Sequence, residues 1–171
     1  MTIGNGDVGL TGIDQSALPE LQITQKTSPI ILRAGLHDLN TIRAIEKEAF
    51  VRDSYPLLDL IGVLSLPFIV RLKAEVGGKI AGFVFGERLF GIGKAWVTNL
   101  RVAKRFRRQG IGFALLRACE EGLEASRVHL CVRCSNQPAI QLYKRSGYRE
   151  VRILQRYYQD GEDAFLMEKD V

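Results

Sequence analysis

The sequence predicts an α/β fold built on a mixed central sheet, and three observations carry that prediction. Apolar runs of strand character alternate with runs whose apolar residues recur at helical spacing, in the order β α α β β β α β α β β. Two turn signals, Gly77-Gly78 and Asp160-Gly161, fall between neighbouring strand runs, where a hairpin needs residues that tolerate positive φ. The chain has 171 residues, 46% of them hydrophobic and 25% charged, with no internal repeat, which suits one domain with a sizeable core.

Residues 1–28 stand apart: rich in Gly, Thr, Asp and Gln, they lack sustained periodicity and are expected to be a flexible extension, with a short ordered piece around Leu18–Ile23. Residues 29–171 are expected to form the single domain. Pro29–Arg33 reads as a strand. Leu36, Leu39, Ile42, Ile45 and Ala49 then recur at helical spacing, which predicts a helix over His37–Phe50. Pro56 disfavours helix at Tyr55, and a short apolar helix follows near Leu57–Leu64. Strands are predicted over Phe68–Val76, Lys79–Leu89 and Ala95–Val102. A helix starting near Gly110 presents Ile111, Leu115, Ala118, Cys119 and Leu123 on one face. Val128–Arg133 is a further strand. The next helix has Pro138 in its first turn and Gly147 just past its end, and Tyr148–Gln155 and Ala164–Lys169 close the chain as a hairpin.

The net charge is +5, unevenly spread. Residues 1–25 hold no Lys or Arg and three of the 19 acidic residues, Asp7, Asp14 and Glu20, so the remainder carries 24 basic against 16 acidic side chains, a net of +8. A basic body points to an anionic partner, either the phosphates of a small molecule or nucleic acid. No secretory signal is evident, and the most apolar stretch, Tyr55–Val70, is interrupted by Asp59, Ser65 and Pro67. The expected address is the cytoplasm, with three reduced cysteines and no membrane contact.

The chemistry concentrates in Val97–Leu116, where a strand passes through Arg101-Val-Ala-Lys-Arg-Phe-Arg-Arg-Gln-Gly-Ile-Gly112 into a helix. A helix N-terminus offers backbone N–H groups without intrahelical partners, and its dipole favours negative charge. Gly110 and Gly112 would let a bulky anion approach the backbone, and Lys104, Arg105, Arg107 and Arg108 add positive charge. Together these describe a pyrophosphate cradle; the plainer alternative is a solvated basic loop before an ordinary helix. The stretch is no Walker A loop, since no Gly-Lys-Ser/Thr follows, and it lacks the first glycine of a dinucleotide-binding fingerprint.

The strand Thr98–Val102, the run Arg107-Arg-Gln-Gly-Ile-Gly112, the strand His129–Arg133, and Ser135-Asn136, Ala139 and Leu142-Tyr143 together resemble the signature of the GNAT superfamily of acetyl-CoA-dependent N-acetyltransferases. The resemblance covers about residues 30–169. It is nearest to N-terminal (α-amino) acetyltransferases, including the RimI-type ribosomal-protein-alanine enzymes. Arg133-x-Ser-Asn136 and the run Arg156-Tyr-Tyr-Gln-Asp-Gly-Glu-Asp-Ala-Phe-Leu-Met167 carry that likeness. It implies a mostly antiparallel mixed sheet splayed between strands 4 and 5, flanked by about four helices.

The resemblance also implies roles. Leu100, Arg101 and Val102 would pair with the pantetheine arm of acetyl-CoA. Arg107, Arg108, Gln109, Gly110, Ile111 and Gly112 would hold the pyrophosphate, with Asn136 and Ala139 as further contacts. Tyr143 would protonate the departing thiolate, or else serve only as a core tyrosine packed on Ala139 and Ile140. Tyr55, Tyr157 and Tyr158 would line the groove for the entering peptide; for the adjacent pair the alternative is hairpin packing, and neighbours on a strand face opposite sides. Asp53 would contact the substrate amine or act as base, or be a solvated loop carboxylate. Arg101 and Arg133 also read as structural, and His129 as a half-buried strand residue.

Cys131 and Cys134 form a C-x-x-C pair, but on a strand residues three apart face opposite sides, and no second pair completes a zinc site. No metal is expected. The position of Cys131 is filled by a glutamate base in RimI-type enzymes and by a histidine in some eukaryotic relatives, so this chain departs from both. A covalent acetyl-Cys131 intermediate lacks an evident base to form the thiolate.

The leading expectation is direct transfer of acetyl from acetyl-CoA to a protein N-terminal amine, such as that of a ribosomal protein, in a ternary complex. One alternative keeps the chemistry and changes the acceptor to a lysine, a polyamine or a small-molecule amine. Another is a non-catalytic RNA- or ribosome-binding module using the Arg101–Arg108 stretch, which lacks the interleaved exposed aromatics of such modules.

Overall fold

The computed structural model describes residues 28–49, 56–89 and 93–171. The elements run β1 (Ile30–Arg33), α1 (Leu39–Ala49), α2 (Leu57–Ser65), β2 (Ile69–Val76), β3 (Lys79–Leu89), β4 (Lys94–Val102), α3 (Ile111–Leu123), β5 (Arg127–Arg133), α4 (Gln137–Arg145), β6 (Arg149–Leu154) and β7 (Ala164–Asp170). The strands form one seven-stranded sheet in the order β1-β2-β3-β4-β5-β7-β6. All neighbours are antiparallel except β4 and β5. Among the described residues no helix is long and apolar enough to cross a membrane.

Period-2 alternation along the strands builds a core on each face. Val84, Ala95, Val97, Val128, Leu130, Val132 and Met167 pack with Ile111, Leu115, Leu116 and Leu123 of α3 and Ile140 of α4. On the other face Phe83 and Phe85, ring centroids 4.9 Å apart, pack with Ile42 and Ile45 of α1 and Leu60 and Leu64 of α2. Gly82 and Gly86 of β3 let the layers close: a Cβ on Gly82 would stand 2.5 Å from the Arg101 carbonyl oxygen, and one on Gly86 2.7 Å from Cys119 Sγ.

The register positions the site. β3 pairs with β4 from Leu89/Lys94 to Gly82/Val102, with a shift between Phe85 and Gly86 that leaves Thr98 as an extra residue on β4. Such a bulge bends the strand and sharpens its twist. β5 pairs with β4 only over Lys94–Trp96 and Arg127–His129, whereas its other edge pairs with β7 along its whole length. The sheet therefore opens into a wedge between the C-terminal halves of β4 and β5.

Two sequence expectations need correction. The helix expected from His37 begins as a 3-10 turn over Leu36–Asp38, because the buried Asp38 carboxylate accepts the Gly35 N–H at 3.0 Å and the Lys73 ammonium at 2.8 Å. The final hairpin does turn at Asp160-Gly161, where the Gly161 N–H donates to the Tyr158 carbonyl at 2.9 Å and Gly161 takes φ 84°, but its strands stop short of that turn: β6 ends at Leu154, and 155–163 form a longer loop held by side chains described below. Phe50 and residues 1–27 lie outside the described residues.

Candidate active site

One wall of the wedge is β4. Leu100, Arg101 and Val102 are half-buried and pair with Val84, Phe83 and Gly82 of β3; along their other edge no strand follows among the described residues. That edge offers backbone donors and acceptors to any extended amide-bearing chain, the chemistry of strand addition. Past Val102, a 3-10 turn over Lys104–Phe106 leads to Arg107, whose guanidinium donates to the Val102 carbonyl at 3.1 Å. Arg108 (φ 61°) and Gly110 (φ 82°) bend the backbone into the left-handed region, and α3 starts at Ile111. The first helical bond runs from Ala114 N–H to the Gly110 carbonyl at 3.0 Å, so the N–H groups of Ile111, Gly112 and Phe113 have no partner within the helix. No acidic residue lies in that first turn.

The two glycines differ, contrary to the sequence reading that had both admit an anion. A Cβ on Gly110 would meet nothing within 4 Å, so this position is open to a ligand. A Cβ on Gly112 would stand 3.2 Å from Leu142 Cδ2, so Gly112 lets α3 seat against α4. The Ile111 side chain is buried in the core and Gln109 is exposed, its amide donating to the Arg105 carbonyl at 3.3 Å. Asn136 caps α4 by accepting the Ala139 N–H at 3.3 Å.

Tyr143 of α4 is 7% exposed and packs edge-on to Tyr148, ring centroids 5.9 Å apart. Burial pushes its phenol up to about 12, while the charge of Arg101 across the wedge pulls it down. A thiol near 8.5 leaves a thiolate too weakly basic to strip such a phenol outright. Tyr143 is therefore suited to donate a hydrogen bond to a developing thiolate rather than to surrender its proton in advance.

The opposite wall belongs to β5, β7 and the loop 155–163. His129, Cys131 and Arg133 share the face of β5 opposite the buried Val128, Leu130 and Val132. Arg133 is 6% exposed; its guanidinium donates to Asp160 at 3.0 Å and Glu162 at 2.5 Å and lies 3.9 Å from the centroid of the Tyr158 ring. Ser135 N–H donates to Glu162 at 2.9 Å and Arg156 N–H to Asp163 at 2.8 Å. Tyr157 and Tyr158 were expected on a strand, facing apart. They sit instead in this loop, because Arg156 takes φ 50° and the acidic residues fold the chain back onto Arg133. Their rings meet edge to face at 5.1 Å; Tyr158 packs on Arg133 and Tyr157 is 52% exposed.

The acidic loop residues are held below the usual carboxylate range. For Asp160 the main cause is the Glu162 N–H and then Arg133; for Glu162 it is Ser135 and then Arg133. A depressed carboxyl stabilises the fold above its unfolded value of about 4, and that contribution is lost as pH falls through the folded value. Amide exchange across 155–163, corrected for its intrinsic pH dependence, is expected to stay slow down to pH about 4 and to accelerate below it. Protection unchanged to pH 3 would show that Arg133 does not clamp the loop electrostatically.

Cys131 and Cys134 are half-buried free thiols. Burial raises the Cys131 thiol, with a hydrogen bond from Tyr157 acting against it. Little thiolate forms under those conditions, so Cys131→Ala is expected to keep kcat within about three-fold, measured by acetyl-CoA consumption. Loss of all turnover, with an acyl-enzyme trapped in the unsubstituted protein, is the outcome that restores the covalent route. Among the described residues no group of three His, Cys, Asp or Glu side chains is placed to hold a metal. Asp53 and Tyr55 lie outside the described residues.

Two buried polar clusters escaped the sequence reading. Asn99, next to the bulge, donates its side-chain amide to Glu46 of α1 at 2.9 Å, and both are almost fully buried. The available signal was an acidic residue at i+4 from Ile42, on the apolar face of α1. At the foot of the wedge, the Trp96 and His129 rings stack at 5.2 Å and His129 Nε2 lies 3.3 Å from Glu168 Oε2.

A strand edge that no other described strand covers, running into an open helix N-terminus, fits a ligand with an amide-bearing arm and a diphosphate. Over residues 37–148 the sequence matches the Acetyltransferase (GNAT) family. The chain belongs to that family. This GNAT chain is an acetyltransferase, and acetyl-CoA is its cosubstrate. It is 36% identical over 151 residues to the N-alpha-acetyltransferase of Sulfurisphaera tokodaii, spanning 80% of this chain and 90% of the relative. It is 30% identical over 148 residues to the catalytic subunit of the N-terminal acetyltransferase A complex of Arabidopsis thaliana, spanning 82% and 77%. Among solved structures, the ribosomal-protein-alanine N-acetyltransferase of Escherichia coli superposes with a TM-score of 0.74 at 28% identity, over 84% of this chain and 94% of that one.

Proposed function

We propose that the protein transfers acetyl from acetyl-CoA to the α-amino group of a protein N-terminus, by direct attack in a ternary complex. The observation that carries this reading is the Arg133-clamped loop beside the wedge, whose half-exposed Tyr157 reaches Cys131 of β5 and would offer a wall to a peptide end. The named activities of the relatives point the same way, and the similarity to a ribosomal-protein-alanine enzyme makes an Ala-starting terminus the first acceptor to test.

In this mechanism the edge of Leu100–Val102 and the N–H groups of 111–113 fix the cosubstrate, while the 155–163 loop guides the peptide terminus to it. Holding both reactants in line supplies much of the rate. A backbone N–H on the edge of β4 that faces the wedge stabilises the oxyanion as the amine adds to the thioester carbonyl. Tyr143 then donates a hydrogen bond to the thiolate as the C–S bond breaks. The acceptor class follows from proton energetics: an α-amine near 8 costs ~1.4 kcal/mol to present neutral at pH 7, a lysine near 10.4 costs ~4.6 kcal/mol. A site whose β5 centre is a thiol suits the former.

The test is an acetylation panel of Ala-, Ser- and Met-starting peptides beside spermidine and an internal lysine peptide, read by mass spectrometry. Modification at the peptide α-amine is expected; turnover confined to spermidine or lysine would reassign the acceptor, and RNA binding without acetyl-CoA binding would remove the enzyme reading.

A further inference from the structure

We propose that His129, backed by Glu168, accepts the proton that the attacking ammonium must lose, through a water on its Nδ1. The inference rests on the amine-acceptor reading above. Three features of the wedge carry it.

The first is an unmet atom. His129 is 8% exposed, and its Nδ1 is buried with no hydrogen-bond partner in the protein. Buried polar atoms are nearly always satisfied, so each exception asks for an explanation. The second is orientation. Nε2 lies 3.3 Å from Glu168 Oε2, so in the neutral ring the proton sits on Nε2 and the lone pair on Nδ1. A histidine held by a carboxylate on one nitrogen and unmatched on the other is the arrangement that general bases use. The third is place. His129 shares its strand face with Cys131 and lies at the last pair before β4 and β5 part. Two strand residues on one face are about 7 Å apart, a span that one or two waters bridge.

The charges around the ring agree with this role. From β7, Glu168 faces Nε2; from β6, Arg149 holds Glu168 at 2.5 Å; from β5, Arg127 stands 3.9 Å from Glu168 and binds Asp170 at 2.7 Å. From β4, Trp96 covers the ring and carries no charge. Along β5, Cys131 is a thiol and Arg133 is committed to Asp160 and Glu162. Among the described side chains on this face of β5, His129 alone carries a ring nitrogen with a lone pair and no partner.

The step balances as follows. The N-terminal ammonium gives one proton through water to Nδ1, and the imidazolium formed pairs with Glu168. The freed amine attacks the thioester carbonyl, the C–N bond forms and the C–S bond breaks. The nitrogen's second proton ends on the thiol of CoA, and His129 returns its own proton to solvent.

The experiment measures kcat/KM against pH, with an Ala-starting peptide and acetyl-CoA, for the unsubstituted protein, His129→Gln and Glu168→Gln. Circular dichroism confirms folding. His129→Gln is expected to lower kcat/KM about 100-fold at neutral pH and to abolish the acid limb, with the Kd for acetyl-CoA unchanged. Glu168→Gln is expected to keep that limb and shift it to lower pH. A folded His129→Gln with kcat/KM within two-fold of the parent and the same acid limb overturns the proposal. Should His129→Gln not fold, His129→Ala is assayed with added imidazole: restored turnover supports the relay, and no rescue in a folded variant refutes it. If the unsubstituted protein uses only spermidine, the acceptor reading has failed, and the same arms run on spermidine still decide the role of His129.

Discussion

Tyr143→Phe is expected to lower kcat about 100-fold, equivalent to ~2.7 kcal/mol, while the Kd for acetyl-CoA stays within about two-fold. The substitution keeps the ring that packs against Tyr148 and removes only the hydroxyl on which the charge of Arg101 acts. A tyrosine serving only as core would give the opposite result, with turnover nearly unchanged. Rapid-mix kinetics with an Ala-starting peptide, alongside calorimetric binding of acetyl-CoA, separate the two readings. Because burial raises the phenol to about 12, no limb from Tyr143 should appear in the pH–rate profile below pH 10.

Gly82→Val should act through the backbone instead. The added Cβ would fall 2.5 Å from the Arg101 carbonyl oxygen and 3.2 Å from Val102 Cα, both backbone atoms of the strand proposed to hold the cosubstrate. β4 must shift, at a cost of about 2–3 kcal/mol, or roughly 5–10 °C in Tm for a chain of this size. The displaced edge should also weaken acetyl-CoA binding by more than ten-fold. A thermal melt and a binding isotherm check both parts; an unmoved Kd would mean that residues 100–102 do not hold the cosubstrate.

Much of this architecture is legible in the sequence because its punctuation is local. Gly77-Gly78, Pro138 and Gly147 mark the ends they were expected to mark, and the apolar spacing of Ile111, Leu115, Cys119 and Leu123 names the buried face of α3. The run Arg107–Gly112 likewise announces the start of α3. What stays hidden is long-range. Thr98 reads as one more residue of a continuous strand, since a bulge exists only relative to its partner. The Glu46–Asn99 bond joins residues 53 apart, and the Glu168 carboxylate reaches His129 only because β7 adds beside β5 rather than beside β6 alone. Tyr157 and Tyr158 mislead in a different way: their composition suits a strand, but Arg133 and three carboxylates override it.

The wedge between β4 and β5 has a consequence for the protein's own stability. Over Leu100–Val102 no described strand lies on the β5 side of β4, and in the proposed site the arm of the cosubstrate would fill that place as a strand would. The metabolite then counts as a folding partner as well as a reactant. By mass action it should add about 2.7 kcal/mol of stability at a concentration 100 times its Kd. The lifetime of the folded enzyme thus follows the supply of the acetyl donor, and scarcity removes catalyst and reactant together.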